Sequence, residues 1–169
     1  MTTAHTEVRT IDQAVFRQVV SHFTSGVVVV TAVDGARYGV TASAVSSLSM
    51  DPPMLLVCLN NKLATTDVIG RTGRFAINIL GADHADVAMQ FAKPHADKFR
   101  GVDTVVGLYD LPLLSDALAQ IECETEATVA AATHTIFIGR VLGARARSGD
   151  PLAYFRGKFG TISLPASAS

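Results

Sequence analysis

The sequence predicts a mainly β protein, a barrel of about six to seven strands carrying two to three peripheral helices. Three observations carry that prediction. Residues 119–131 alternate Ile121, Cys123, Thr125, Ala127 and Val129 with Glu122, Glu124, Glu126 and Thr128, the period of a strand with one buried and one solvated face. Asp34-Gly35 separates two β-prone runs and is a strong hairpin signal. Residues 54–59 form an unbroken apolar run of strand length, bounded by Pro52-Pro53 and Asn60-Asn61. An α+β sandwich is the alternative from pattern alone. A Rossmann fold does not fit, because GxGxxG is missing and strands do not alternate regularly with helices.

In chain order, residues 1–10 read as a loose polar arm ahead of one domain over 11–169. Residues 11–23 space Ile11, Val15, Val19 and Phe23 four apart behind Asp12, an amphipathic helix with a good N-cap. Residues 27–33 are a β-branched strand, and the hairpin leads into a second strand over 38–49. After the strand at 54–60, residues 62–72 read as a short helix closed by Gly73. Residues 74–80 are a strand, 83–91 a helix capped by Asp83, and 92–108 a mixed segment. Residues 111–114 lead into the alternating strand, followed by its partner at 133–147 and a last strand at 152–162.

At 169 residues the chain is long enough for a core without disulfides or metal. Hydrophobic residues make up 49% and charged ones 17%, a balance that an obligate homodimer explains. The net charge of −1 and the absence of a dense basic cluster argue against nucleic acid or an anionic membrane as partner. Cys58 and Cys123 lie in apolar or strand-like runs with no ligand spacing and read as buried packing residues in a reducing compartment. No signal peptide and no membrane-length apolar run is present, so the expected location is the cytoplasm. No HExxH or clustered metal-ligand spacing occurs, and GxSxG is missing.

The segment 39–61 carries the most chemistry. Thr41, Ala42, Ser43, Ala44, Ser46 and Ser47 are small and hydroxyl-rich, too small to fill a core. Such a strand presents hydroxyls and amides to a flat polar ligand with a phosphate, though the same residues are also ordinary turn and edge-strand chemistry. Asn61, Lys62, Thr65 and Thr66 fall at a helix start, where free N–H groups favour a phosphate.

This segment resembles the flavin-binding signature of the short-chain flavin reductases, the reductase partners of two-component flavin-dependent monooxygenases, built on the FMN-binding split β-barrel. Four further matches follow in the family's order: residues 74–80, Phe91-Ala92 with Lys98-Phe99, residues 134–141 and residues 154–159. The resemblance implies an NAD(P)H-dependent reductase that passes a hydride to FMN or FAD, with NADH favoured over NADPH, and hands reduced flavin to a separate monooxygenase. It places residues 41–44 along the flavin ring, Ser46 and Ser47 near the ribityl or phosphate groups, and Phe91-Ala92 over the flavin, with Lys98 available to a phosphate. His134 matches a histidine beside the nicotinamide, in a positioning or field-tuning role. The family commonly has Gly-Asp before it; here Ala132-Thr133 stand instead. Tyr154, Arg156 and Gly157 match a region that touches the nicotinamide nucleotide. Two other readings share the barrel: a tight FMN-binding electron carrier, and a flavin oxidase, which would show a basic cluster for a substrate phosphate.

Overall fold

The computed structural model describes residues 10–94 and 97–162. The expected arm lies outside them apart from Thr10, as do His5 and His95. In chain order the elements are α1 (Gln13–Val20), β1 (Ser25–Gly26), β2 (Val28–Asp34), β3 (Ala36–Ala42), β4 (Val45–Met50), β5 (Pro53–Asn60), α2 (Ala64–Thr72), β6 (Arg74–Ile79) and α3 (Ala85–Ala92). Then come β7 (Thr104–Val106), a 3₁₀ turn at Leu108–Asp110, β8 (Pro112–Leu114), β9 (Ala119–Ala131), β10 (His134–Ala146), β11 (Leu152–Phe155) and β12 (Lys158–Thr161).

Seven strands form one antiparallel sheet in the order β3-β2-β6-β9-β10-β5-β4. Laid flat, its outer strands would stand nearly 30 Å apart at about 4.8 Å per strand. Yet β3 ends at Ala42 and β4 starts at Val45, a step of at most about 11 Å. Ser43-Ala44 therefore forces the sheet to curl until its two edges meet, and the Cys58 N–H donates to the Ala44 carbonyl at 2.9 Å beside that seam. The result is the mainly β barrel with peripheral helices that the sequence predicts.

The barrel is filled by Val30, Val57, Phe75, Ile77 and Phe137, with Val68 and Ile69 of α2 among them. A second core lies outside β2, where Val27, Val29, Leu80, Phe91, Phe99 and Leu152 pack together. Strand β2 is buried on both faces, which explains its continuous run of valines. Helix α3 approaches β3 so closely that a Cβ on Gly39 would stand 2.5 Å from the Phe91 ring. That ring is fully buried and edge-on to Phe99 at 5.0 Å, so it has nowhere to swing.

Several expectations need correction. Residues 38–49 are two strands at opposite edges of the sheet, β3 and β4, and residues 152–162 are a hairpin, β11–β12. Arg156 and Gly157 are its turn, with φ of +49° and +80°, so Arg156 and Lys158 do not alternate with aromatics along one strand. His84 stands at the N-cap of α3 in place of Asp83, and its Nδ1 accepts from the Gly81 N–H at 3.2 Å. At α2 the cap position is Leu63, while Asn60 Oδ1 accepts from the Lys62 N–H.

In β9 the ladder skips Glu126: Thr125 pairs with Gly139 and Ala127 with Ile138. This bulge switches the faces, so Ala127 and Val129 point out of the barrel although Cys123 points in. Burial, helped by neighbouring Glu122, pushes the Cys123 thiol up to about 12. Cys58 is half-buried on the outer face, a further departure from the expected core role. Helix α1 does start behind an Asp12 cap, whose Oδ1 accepts from the N–H groups of Ala14 and Val15. None of its residues is buried, and Ile11, Val15, Phe16, Val19 and Phe23 lie bare.

Gly39→Ala is expected to destabilise the protein by about 1–3 kcal/mol in urea unfolding, because Phe91 must move. Gly70→Ala, in an α2 position with open space around it, should instead stabilise by about 0.5–1 kcal/mol.

Candidate active site

The end of β3, the inner side of α3 and the β11–β12 hairpin enclose a cavity of about 330 Å³, lined by Val27, Thr41, Ala42, Ser43, Met89, Ala92, Tyr154, Gly157 and Phe159. Its floor is flat because Ala42 and Ser43 project almost nothing, and its walls are apolar. Tyr154 and Phe159 face each other across the hairpin, ring centroids 5.6 Å apart. The Thr41 hydroxyl donates to the Ala88 carbonyl at 2.6 Å, so it fixes α3 against β3.

The cavity opens through Ser43, Tyr154 and Gly157 into a wider cleft of about 1220 Å³. Ala44 and Arg156 line that cleft, and its far wall is one side of α1, where Gln13, Arg17, Gln18 and Ser21 are interleaved with Ala14 and Val20 and followed by Phe23. The hairpin tip is tied to α1 by the Arg156 N–H, which donates to the Ser21 carbonyl at 3.0 Å. Sequence reading gave no site role to the helix α1, Val27 or Met89, and Phe159 entered it only as the end of the matched segment 154–159. The α1 stripe reads as a core-facing pattern, and nothing in the sequence marks its opposite face as a cleft wall.

The structure thus brings together Thr41, Ala42, Ser43, Ala44, Ala92, Tyr154, Arg156 and Gly157 of the predicted site residues. Phe91 is a core anchor beneath the cavity. Lys98 donates from Nζ to the Phe91 carbonyl at 2.8 Å, capping α3, and burial lowers its affinity for a proton. Ser46 and Ser47 lie on β4 away from the cleft, and the Ser46 hydroxyl donates to the Ser47 carbonyl at 3.0 Å.

The remaining residues sit where β5 ends and β10 begins, two strands across from Ala44. Thr65 is buried, and the Thr66 hydroxyl donates to the Asn60 carbonyl at 2.8 Å, so the α2 start offers little to a phosphate. Asn61 Nδ2 donates to the Ala132 carbonyl and its Oδ1 accepts from the Thr135 hydroxyl, pinning the β9–β10 turn. Lys62 is exposed beside it. His134 follows that turn, paired with Asn60 on one side and Ala131 on the other, its Nδ1 2.9 Å from the Thr133 hydroxyl. It lines neither the cavity nor the cleft of its own chain.

Half-buried Met54, Leu56, Cys58 and Asn60 of β5 share the outer face with Ile136, Ile138 and His134 of β10. Ala127, Val129 and Ala131 of β9 extend it. This apolar sheet face borders the cleft where Cys58 meets Ala44, and is flanked by Arg140, which pairs with Glu124 at 2.9 Å and Glu126 at 3.4 Å.

The sequence matches the family described as "Flavin reductase like domain" over residues 20–163. A protein of Rhodococcus opacus, the reductase component of 4-nitrophenol 4-monooxygenase/4-nitrocatechol 2-monooxygenase, is 50% identical over 151 residues, covering 89% of this chain and 81% of its own. The flavin reductase (NADH) of Kitasatospora aureofaciens is 37% identical, over 86% of this chain and 80% of its own. The solved NADH:FAD oxidoreductase of Streptomyces globisporus, in complex with NAD and FAD fragments, superposes with a TM-score of 0.86 at 29% identity, covering 95% of this chain and 99% of its own.

Ala92→Phe places a ring in the small cavity from an exposed helix end. FMN affinity, read by fluorescence quenching, is expected to fall roughly tenfold or more with the melting temperature unchanged.

Proposed function

The chain belongs to the flavin reductase-like domain family, and on that premise we propose how its cleft performs NAD(P)H-dependent flavin reduction. The protein is an NADH:flavin oxidoreductase of the kind that supplies reduced FMN or FAD to a separate monooxygenase component. One observation carries the reading: a flat-floored cavity that shares Ser43, Tyr154 and Gly157 with a larger cleft offers two adjoining spaces, room for two ligands in contact. An electron carrier that only held FMN would need the first alone.

Flavin and nicotinamide supply the hydride chemistry themselves, C4 of one to N5 of the other. The chain's part is to hold the rings about 3–3.5 Å apart and keep water from them. Ala42 and Ser43 would let a flavin ring lie against the β3 backbone, whose outward amides would be available as donors to it. Met89, Ala92 and Phe159 would cover a bound ring, and the Thr41–Ala88 hydrogen bond keeps that wall in place. Tyr154 and Gly157 line both spaces and so mark where the second ring meets the first. NADH, as the cell's soluble reductant, places the enzyme in the cytoplasm.

The working unit in this reading is a homodimer formed through the outer sheet face. Leu56, Ile136, Ile138 and Val129 are an apolar surface in search of cover, and a second copy supplies the same surface. The patch touches the cleft at Ala44 and carries His134 at its far side, two strands away. A two-fold axis through it brings His134 of the partner subunit toward the cleft, where it orients the nicotinamide.

NADH oxidation should be slow with protein alone and rise to saturation with added FMN or FAD. A flat trace on protein that still binds flavin would leave the carrier reading instead. Ile136→Glu should give a monomer by sedimentation and lose most of the reductase rate while the monomer still binds FMN; an active monomer would remove the partner's His134 from the mechanism.

A further inference from the structure

Arginine side chains in this protein are mostly committed. Arg71 pairs with Asp34 and Arg140 with Glu124. Arg37 lies over Phe99 and Arg74 over Tyr109. Arg145 donates to Gln120, and Arg147 to the Ala117 and Asp116 carbonyls. Among the described residues, Arg17, Arg100 and Arg156 have no such partner, and Arg17 and Arg156 line the same cleft.

Their proximity follows from the backbone. The Arg156 N–H is bonded to the Ser21 carbonyl, and the Ser21 N–H to that of Arg17, one helical turn earlier. One turn rises about 6 Å, so two long guanidinium side chains start from points on one short stretch of wall. Arg156 is also held at a φ of +49°, where glycine or asparagine would sit more cheaply. A non-glycine residue kept there by a tertiary hydrogen bond is the kind of strain that functional positions retain. Among the described residues the only acid lining the cleft is Asp12, and its Oδ1 faces the first N–H groups of α1 as their cap. Gln13, Gln18 and Ser21 add neutral polar groups.

We infer that Arg17 and Arg156 form a two-guanidinium clamp for the pyrophosphate bridge of a dinucleotide, with Arg17 on α1 as a binding residue of the reductase. The inference rests on the flavin reductase reading above. Two adjacent phosphates carry two negative charges, and guanidinium forks bind phosphate oxygens in pairs. The clamp stands at the mouth of the flat cavity, so a ring bound inside trails its pyrophosphate past α1 and its adenosine toward solvent. Both FAD and NAD(H) contain this bridge; FMN and nicotinamide mononucleotide do not.

The test is isothermal titration of wild-type, Arg17→Gln and Arg17→Lys protein with FAD, FMN, NAD⁺ and nicotinamide mononucleotide, alongside steady-state KM values. Arg17→Gln is expected to weaken one dinucleotide roughly tenfold while its mononucleotide counterpart changes less than about twofold, with Arg17→Lys in between. Loss confined to FAD assigns the clamp to the flavin, and loss confined to NAD⁺ to the hydride donor. The wild-type affinity for that dinucleotide should also fall more steeply with salt than that of Arg17→Gln. Equal dinucleotide affinities in wild type and Arg17→Gln overturn the clamp and leave the reductase standing. Equal weakening of FAD and FMN overturns it as well, since a single phosphate would then be the target. Wild-type protein that binds none of the four overturns clamp and reductase together.

Discussion

The two-residue step at Ser43-Ala44 governs the rest of this structure. It joins the opposite edges of a seven-stranded sheet, and so converts a ribbon into a barrel. Two chain ends that converge this tightly leave no volume for large side chains, and the residues at the seam are accordingly Ala42, Ser43 and Ala44. The same smallness leaves a flat, accessible stretch of backbone. Closure of the fold and the floor of the cavity are therefore one constraint met by one set of residues. A bulky residue there would oppose both.

What surrounds the seam comes from distant parts of the chain. Phe91 anchors α3 against Gly39, and the Thr41 hydroxyl ties β3 to the Ala88 carbonyl, so the wall bearing Met89 and Ala92 is held by packing and by a hydrogen bond. The opposite wall is lighter. The β11–β12 hairpin reaches α1 through the Arg156–Ser21 hydrogen bond and the edge-on contact of His22 with Phe155 at 6.2 Å. Helix α1 contributes no buried residue of its own. A rigid wall on the ring side and a lightly held one on the polar side suit a site that keeps one ligand aligned while another enters and leaves.

The strands were legible in the sequence because their periods are local: the alternation over 119–131 and the valines of β2 follow from burial on one face or on two. Its limits are physical as well. No residue pattern announces that Glu126 is skipped in the ladder, yet that bulge moves Ala127 and Val129 to the outer face and extends the apolar patch. Nor does composition distinguish one strand over 38–49 from two strands meeting across a barrel seam. Of the residues that line the cavity and cleft, 41–44 stand out in the sequence by their small size and by resemblance, and Tyr154, Arg156 and Gly157 by resemblance. Arg17 was not, because a helix with a clear apolar stripe directs attention to that stripe and away from its polar side.

The separation of His134 from the cleft is what the proposed homodimer would overcome. His134 is fixed by the Asn61-pinned turn at one end of β10, while Ala44 stands across β5 from it, on the same outer face. Within one chain the sheet keeps them apart, since strand spacing is not negotiable. In the proposed dimer a two-fold axis lying in the plane of that face turns a second copy onto it, and the apolar side chains between Ala44 and His134 would supply the attraction. Dimer contact and active-site completion then draw on the same rows of β5, β10 and β9. In that arrangement the departure at Ala132-Thr133 matters less for proton supply than for geometry: with no acid ahead of His134, the Thr133 hydroxyl at 2.9 Å is what orients the ring. In the proposed dimer a hydroxyl-held imidazole would suit a carboxamide that must be positioned beside a flavin, because hydride transfer asks for alignment.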